Sequence, residues 1–212
     1  MKSSKPFLNN KCNFCKTFNT IDYLETIASI LLGIGLSAAT GFRIFVPFFV
    51  ASIASISGYL PLSPSFEWIG TYPALFAFGA ATIFEIAAYY IPWFDNLLDS
   101  IATPAAFIAG AILMIAVVSG LPPLAKWALA IIAGSGAAGI VQSGTTLTRA
   151  TSTVTTGGLA NPIVSTIEAG SSFGLSLLAI ILPVIAGLIA IVLLIFLSKK
   201  IVRKLKRTNT QP

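Results

Sequence analysis

The sequence predicts an all-α polytopic membrane protein with about six spanning helices, each needing roughly 20 mainly apolar residues. Three observations carry that expectation. First, 56% of the 212 residues are hydrophobic and only 9% are charged, against roughly a quarter charged in a soluble domain. Too few charges remain to cover a water-facing surface, so lipid must be the solvent for most of the chain. Second, ten of the 13 Lys and Arg residues precede residue 17 or follow residue 198. Third, the body divides into charge-free windows at 26–42, 44–66, 68–84, 100–125, 127–148 and 169–198.

Residues 1–21, with Lys2, Lys5, Lys11 and Lys16, read as a basic tail. A membrane domain over 22–198 and a second basic tail over 199–212 follow. Basic tails flanking an apolar body obey the positive-inside rule, so both termini are expected in the cytoplasm. Asp22 and Glu25 stand before the first apolar run, which begins near Ile27. That arrangement does not resemble a secretory signal and looks like the capped start of a helix. Cys12-Asn-Phe-Cys15 has no second pair, and the chain has no His. The pair cannot complete a tetrahedral zinc site within one chain, so no metal or cofactor is expected.

Helices are expected near 22–40, 44–60, 73–91, 101–120, 123–142 and 173–198. Gly41 and Pro47 break the chain around Arg43, which predicts a hairpin there. Gly58, Pro61 and Pro64 end the second helix, and Pro92 ends the third. Thr103-Pro104 suits an N-cap and first turn for the fourth, and Gly120-Leu-Pro122-Pro123 separates the fourth from the fifth. Six crossings bring both tails to one side. Trp68, Trp93 and Trp127 fall at span ends with Tyr72, Tyr89 and Tyr90 nearby, as an interfacial aromatic belt would.

Four segments carry chemistry. Arg43 between two apolar helices is either a turn residue meeting headgroups or a hairpin-tip group that binds an anion or pairs with a carboxylate. Glu85 lies inside an apolar helix, where it must pair or take up a proton; Arg43 or Arg149 is its expected partner, with Asp95 and Asp99 as further acids for Arg43. Structural ion pairing and proton coupling both fit Glu85. In 143–156, nine of fourteen residues are Ser or Thr, with Arg149 among them. Asn161-Pro162 then offers a helix start, and Ser165-x-x-Glu168 a capping box. Residues 145–170 are thus expected to form either a polar outside loop or a re-entrant segment whose helix N-terminus favours an anion. Gly134-x-Gly136-x-x-Gly139 matches a dinucleotide pattern, but it follows no strand and has no acidic residue about twenty positions on. Close helix packing explains it better. The Gly33-Ile-Gly35 and Gly134-Ser-Gly136 segments also suggest a weak parallel repeat.

Gly35-Leu-Ser-Ala-Ala-Thr-Gly-Phe-Arg43, Glu85, Ile91-Pro-Trp-Phe-Asp95-Asn-Leu-Leu-Asp99, Thr155-Thr-Gly-Gly-Leu-Ala-Asn-Pro162 and Glu168 together resemble the bacterial integral-membrane family catalogued as domain of unknown function 4126. The resemblance covers about 24–198, and it implies a multi-pass protein of the bacterial inner membrane with no assigned activity. The Gly/Arg/Pro hairpin with intramembrane carboxylates is also similar to the DedA-type lipid permeases, though their paired-hairpin pattern is not matched end to end.

The function these readings favour is a small permease or flippase-like transporter of an anionic or amphiphilic solute, with proton coupling as an option. Its site would draw on Arg43, Glu85, Asp95, Asp99, Arg149, Asn161 and Glu168. The alternative is a membrane scaffold whose charges are structural ion pairs. An enzyme is disfavoured, because no nucleophile has an evident base. Expected partners are membrane lipids, with anionic headgroups at Lys199–Arg207. Nucleic acid is not expected, since that run abuts a span and lacks interleaved aromatics, and assembly with further copies is left open.

Overall fold

Proline decides where most of the helices begin. In the computed structural model, which describes the backbone over 9–89 and 92–208 and side chains over 23–89 and 100–203, Pro64, Pro73, Pro123 and Pro162 stand in the first turns of their helices. Pro92 and Pro183 are the first residues of theirs. A proline at these positions loses nothing, because the first amides of a helix have no internal partner. The elements are α1 (Asn9–Thr40), α2 (Phe45–Ile56), a 3-10 helix (Pro64–Gly70), α3 (Tyr72–Ala88), α4 (Pro92–Val117), α5 (Pro123–Leu129), α6 (Ser135–Thr156), α7 (Asn161–Ile181) and α8 (Pro183–Thr208). A single π-helical turn, Ala130–Gly134, joins α5 to α6. No strand occurs among the described residues.

The chain is a polytopic helical membrane protein. Five spans are long and apolar enough to cross a bilayer: α1, α4, the continuous α5–α6, α7 and α8. The 3-10 helix and α3 make a sixth if they count as one span bent by 64°. At 12 residues, α2 is shorter.

Contacts fix the directions. Ser37 of α1 donates to the Gly110 carbonyl of α4 at 2.8 Å, and Gly120, just beyond α4, lies against Thr26, so α4 runs antiparallel to α1. Ser172 of α7 donates to the Ala39 carbonyl at 2.9 Å, while a side chain at Gly35 would meet Ala179 at 3.0 Å; α7 is antiparallel to α1 too. Next, α8 turns back. Ala186 lies beside Gly35 and Gly187 beside Leu31, whereas Leu197 reaches Gly144. Gly144 is farther along α6 than the Ala138–Gln142 stretch that packs on Gly41, so α8 runs parallel to α1.

Small residues make this packing possible. Ala38, Ala39, Ala106, Ala116, Ala138, Ala179, Ala186 and Ala190 are buried among the helices, and close backbone approach replaces the hydrophobic drive that lipid does not supply. Gly33 and Gly134, the repeat-like glycines, both press on Met114 of α4. The α2–α3 hairpin is pinned at its turn, where Ser63 donates its amide to Ala116 at 2.7 Å and its hydroxyl to Ile115 at 3.1 Å. Lys126 donates to the same hydroxyl at 3.1 Å.

Three expectations need correction. The uncharged window 169–198 is not one helix: Leu182, at φ −134 and ψ 71, leaves the helical region as residues before proline do, and Pro183 starts a new helix. Because of that extra reversal, the start of α1 and the end of α8 lie at opposite ends of the helix bundle. The second correction is at 143–156, which is not a loop but continues α6 as helix. Six of its nine hydroxyls bond back to their own helix, with Ser143, Thr146, Thr148, Thr151, Thr155 and Thr156 each donating four residues back at 2.7–2.9 Å. Back-bonding of this kind hides polarity within a helix. The fold-back foreseen over 145–170 is therefore two helix ends meeting at Gly157 (φ 63) and Gly158 (φ 88), conformations that glycine adopts without strain. Third, α4 starts at Pro92 with Pro104 in its interior, as membrane helices tolerate.

Candidate functional site

Where α1 ends, a side chain at Gly41 would collide with the Ala138 carbonyl and Val141 of α6. Glycine there lets the chain press against α6 and turn, and the turn sends Arg43 inward. Arg43 is 1% exposed. Its Nη2 donates to the Ser165 carbonyl at 3.1 Å and also to the Ser165 hydroxyl. The same nitrogen stands 3.5 Å from Glu168 Oε2. From the other side α6 supplies Arg149, whose Nε donates to Glu168 Oε1 at 3.3 Å and whose Nη2 bonds Oε2. Two-pronged pairing of this kind is what a planar guanidinium does best with a carboxylate.

Tyr89 completes the centre. The guanidinium carbons of Arg43 and Arg149 each lie 3.9 Å from the centre of its ring, so one aromatic ring serves two cations. Away from water such contacts reach roughly 2 kcal/mol. Ser172 donates to the Ala39 carbonyl and, at 3.5 Å, to that of Arg43, engaging carbonyls freed where α1 stops. Ser165, Glu168 and Ser172 are all on α7, and the three- and four-residue spacings put them on one face.

Glu85 lies nearby with a different task. Its carboxylate accepts from the Ile44 amide at 2.8 Å and the Phe45 amide at 3.0 Å, so a residue of α3 caps the N-terminus of α2. Free amides and the positive end of the helix dipole balance the charge. Arg43 thus finds its acid in Glu168. Asp95 and Asp99 fall on residues whose side chains lie outside the described set. Asn161 is at the α6–α7 turn, where its amide donates to Thr153 at 3.2 Å.

Three members escaped the sequence reading. Tyr89 looked like part of an interfacial belt, and Ser172 carried no signal. Ser165 was visible as half of a capping box with Glu168, yet both side chains face arginines. The dinucleotide-like glycines pack helices: Gly134 meets Gly110 and Met114, and Gly139 meets Phe107.

Chemically, the centre offers hydrogen-bond donors to an oxyanion. Nε and Nη1 of Arg43 are buried and have no hydrogen-bond partner among the described residues, so two edges of the fork remain unused. The residues of this centre, from Arg43 to Ser172, fall within a family match. Residues 30–203 match the family described as a domain of unknown function, DUF4126. The chain belongs to that family. No curated protein and no solved structure matches it. Arg43, Glu85, Arg149 and Glu168 all lie within the part the family covers.

Proposed function

We propose that the protein is a small permease or flippase-like transporter for an anionic or amphiphilic solute, with Arg43 meeting the anion. The observation that supports this reading is the pair of buried donors on Arg43 without a partner among the described residues. Leaving a buried donor unsatisfied costs roughly 1–3 kcal/mol, and a guanidinium fork fits a carboxylate or phosphate. Both described buried carboxylates are engaged, Glu85 by amides and Glu168 by guanidinium groups. The reading is therefore anion recognition and not proton exchange.

A scaffold is the second reading. It is favoured by the Arg149–Glu168 pair, which closes on itself and needs no solute. Vesicles containing the full-length protein separate the two. Fluorescent phosphatidylglycerol, a fluorescent fatty acid and inorganic phosphate serve as probes of movement across the bilayer. Faster movement of at least one probe than in empty vesicles, lost in Arg43→Gln and partly kept in Arg43→Lys, is the expected result. If no probe moves, or Arg43→Gln works as well as the wild type, the scaffold reading replaces the transporter.

A further inference from the structure

We propose that the cleft between the ends of α6 and α8 docks an anionic glycerophospholipid of the surrounding bilayer. The two helices touch where Leu197 meets Gly144 and enclose a cavity of about 1430 Å³ beyond that point, with the start of α7 at its side. This exceeds the roughly 300–1,000 Å³ of ordinary small-molecule pockets and leaves room for a long-chain amphiphile.

The lining is sorted by chemistry. Leu147, Val164 and Phe196 make an apolar floor, while Lys199, Lys200 and Arg203 form a rim at the end of the α8 span. No acidic residue lines the cleft. None of the three cations makes an ion pair or hydrogen bond among the described residues. The remaining wall is the hydroxyl face of α6. Its Thr148, Thr151 and Thr155 already donate to their own helix, whereas the buried hydroxyl of Ser152 has no hydrogen-bond partner among the described residues.

An apolar floor ending in unpaired cations at the end of a membrane span matches one kind of occupant. Acyl chains would lie on the floor, and the phosphate would meet the rim, where basic residues attract anionic headgroups. A free phosphate would use the rim and leave the floor empty. The site is separate from the Arg43 centre, since no residue of that centre lines the cleft, and it holds whether or not the protein transports anything.

Native mass spectrometry of the full-length protein, taken from bilayers of equal phosphatidylglycerol and phosphatidylcholine, tests the proposal. One phosphatidylglycerol should remain per chain, preferred roughly a hundredfold over phosphatidylcholine at about 1 kcal/mol for each of the three cations. Lys199→Gln, Lys200→Gln and Arg203→Gln together should bring that preference near unity. Thr151→Trp, which fills the cleft and removes no charge, should lower occupancy, and Lys126→Gln, at the other end, should leave it unchanged. Equal retention of the two lipids in the wild type would overturn the proposal, as would undiminished binding in the triple variant or in Thr151→Trp. So would displacement of the lipid by millimolar inorganic phosphate, or particles of two chains carrying no lipid.

Discussion

Glu85 and Glu168 are both buried carboxylates near Arg43, and they are neutralised in different ways. Glu168 faces two guanidinium groups, so its charge is met by formal charges, and the trio keeps one positive charge in excess. Glu85 faces the first amides of a helix, so its charge is balanced by backbone dipoles. A buried acid in lipid therefore does not identify a buried base. Its partner can equally be a helix end, which carries about half an elementary charge without a charged residue.

The difference sets an order of sensitivity. Glu168→Gln leaves two guanidinium groups without their carboxylate and should cost about 3–5 kcal/mol, the scale of breaking a buried pair. Thermal unfolding in detergent reads this directly, and Arg149→Met combined with Glu168→Leu should recover only the share of the loss that belongs to Arg149, since Arg43 stays without its carboxylate. Tyr89→Leu should cost roughly 2 kcal/mol through the cation–aromatic contacts, with Tyr89→Phe nearer the wild type. Glu85→Gln should cost the least, about 1 kcal/mol, because an amide oxygen still accepts a hydrogen bond at a helix start. If Glu85→Gln proved as damaging as Glu168→Gln, the contrast between dipole and ion pairing would be wrong.

Much of the architecture is legible in the sequence because lipid leaves few choices. Charge-free windows and first-turn prolines locate the starts of α3, α5 and α7. The polar centre was legible in part: Arg43, Arg149 and Glu168 stood out as costly charges in an apolar body. Their pairing was not, since it depends on which helices meet, and no spacing in the chain encodes the proximity of residues 43 and 168. The Ser/Thr run misled for a physical reason: hydroxyls that bond to their own helix look polar in sequence and are neutralised in structure. Pro183 was the costliest omission, because one reversal moves the end of α8 to the far end of the bundle. A membrane-impermeant thiol reagent checks this. Cys12 and Cys15, and a cysteine added after Pro212 in a variant lacking them, should react from opposite sides of a sealed membrane.

The capping of α2 by Glu85 also has a consequence for how the chain is made. The first turn of α2 is satisfied by a residue 40 to 41 positions later, so it lacks those partners while the intervening chain is still in the ribosome. At 12 residues, α2 is about 18 Å long, too short to settle across a bilayer by itself. In hydrocarbon its open amides would go unanswered. The first turn of α2 is thus completed only once α3 has been made and Glu85 has come alongside it.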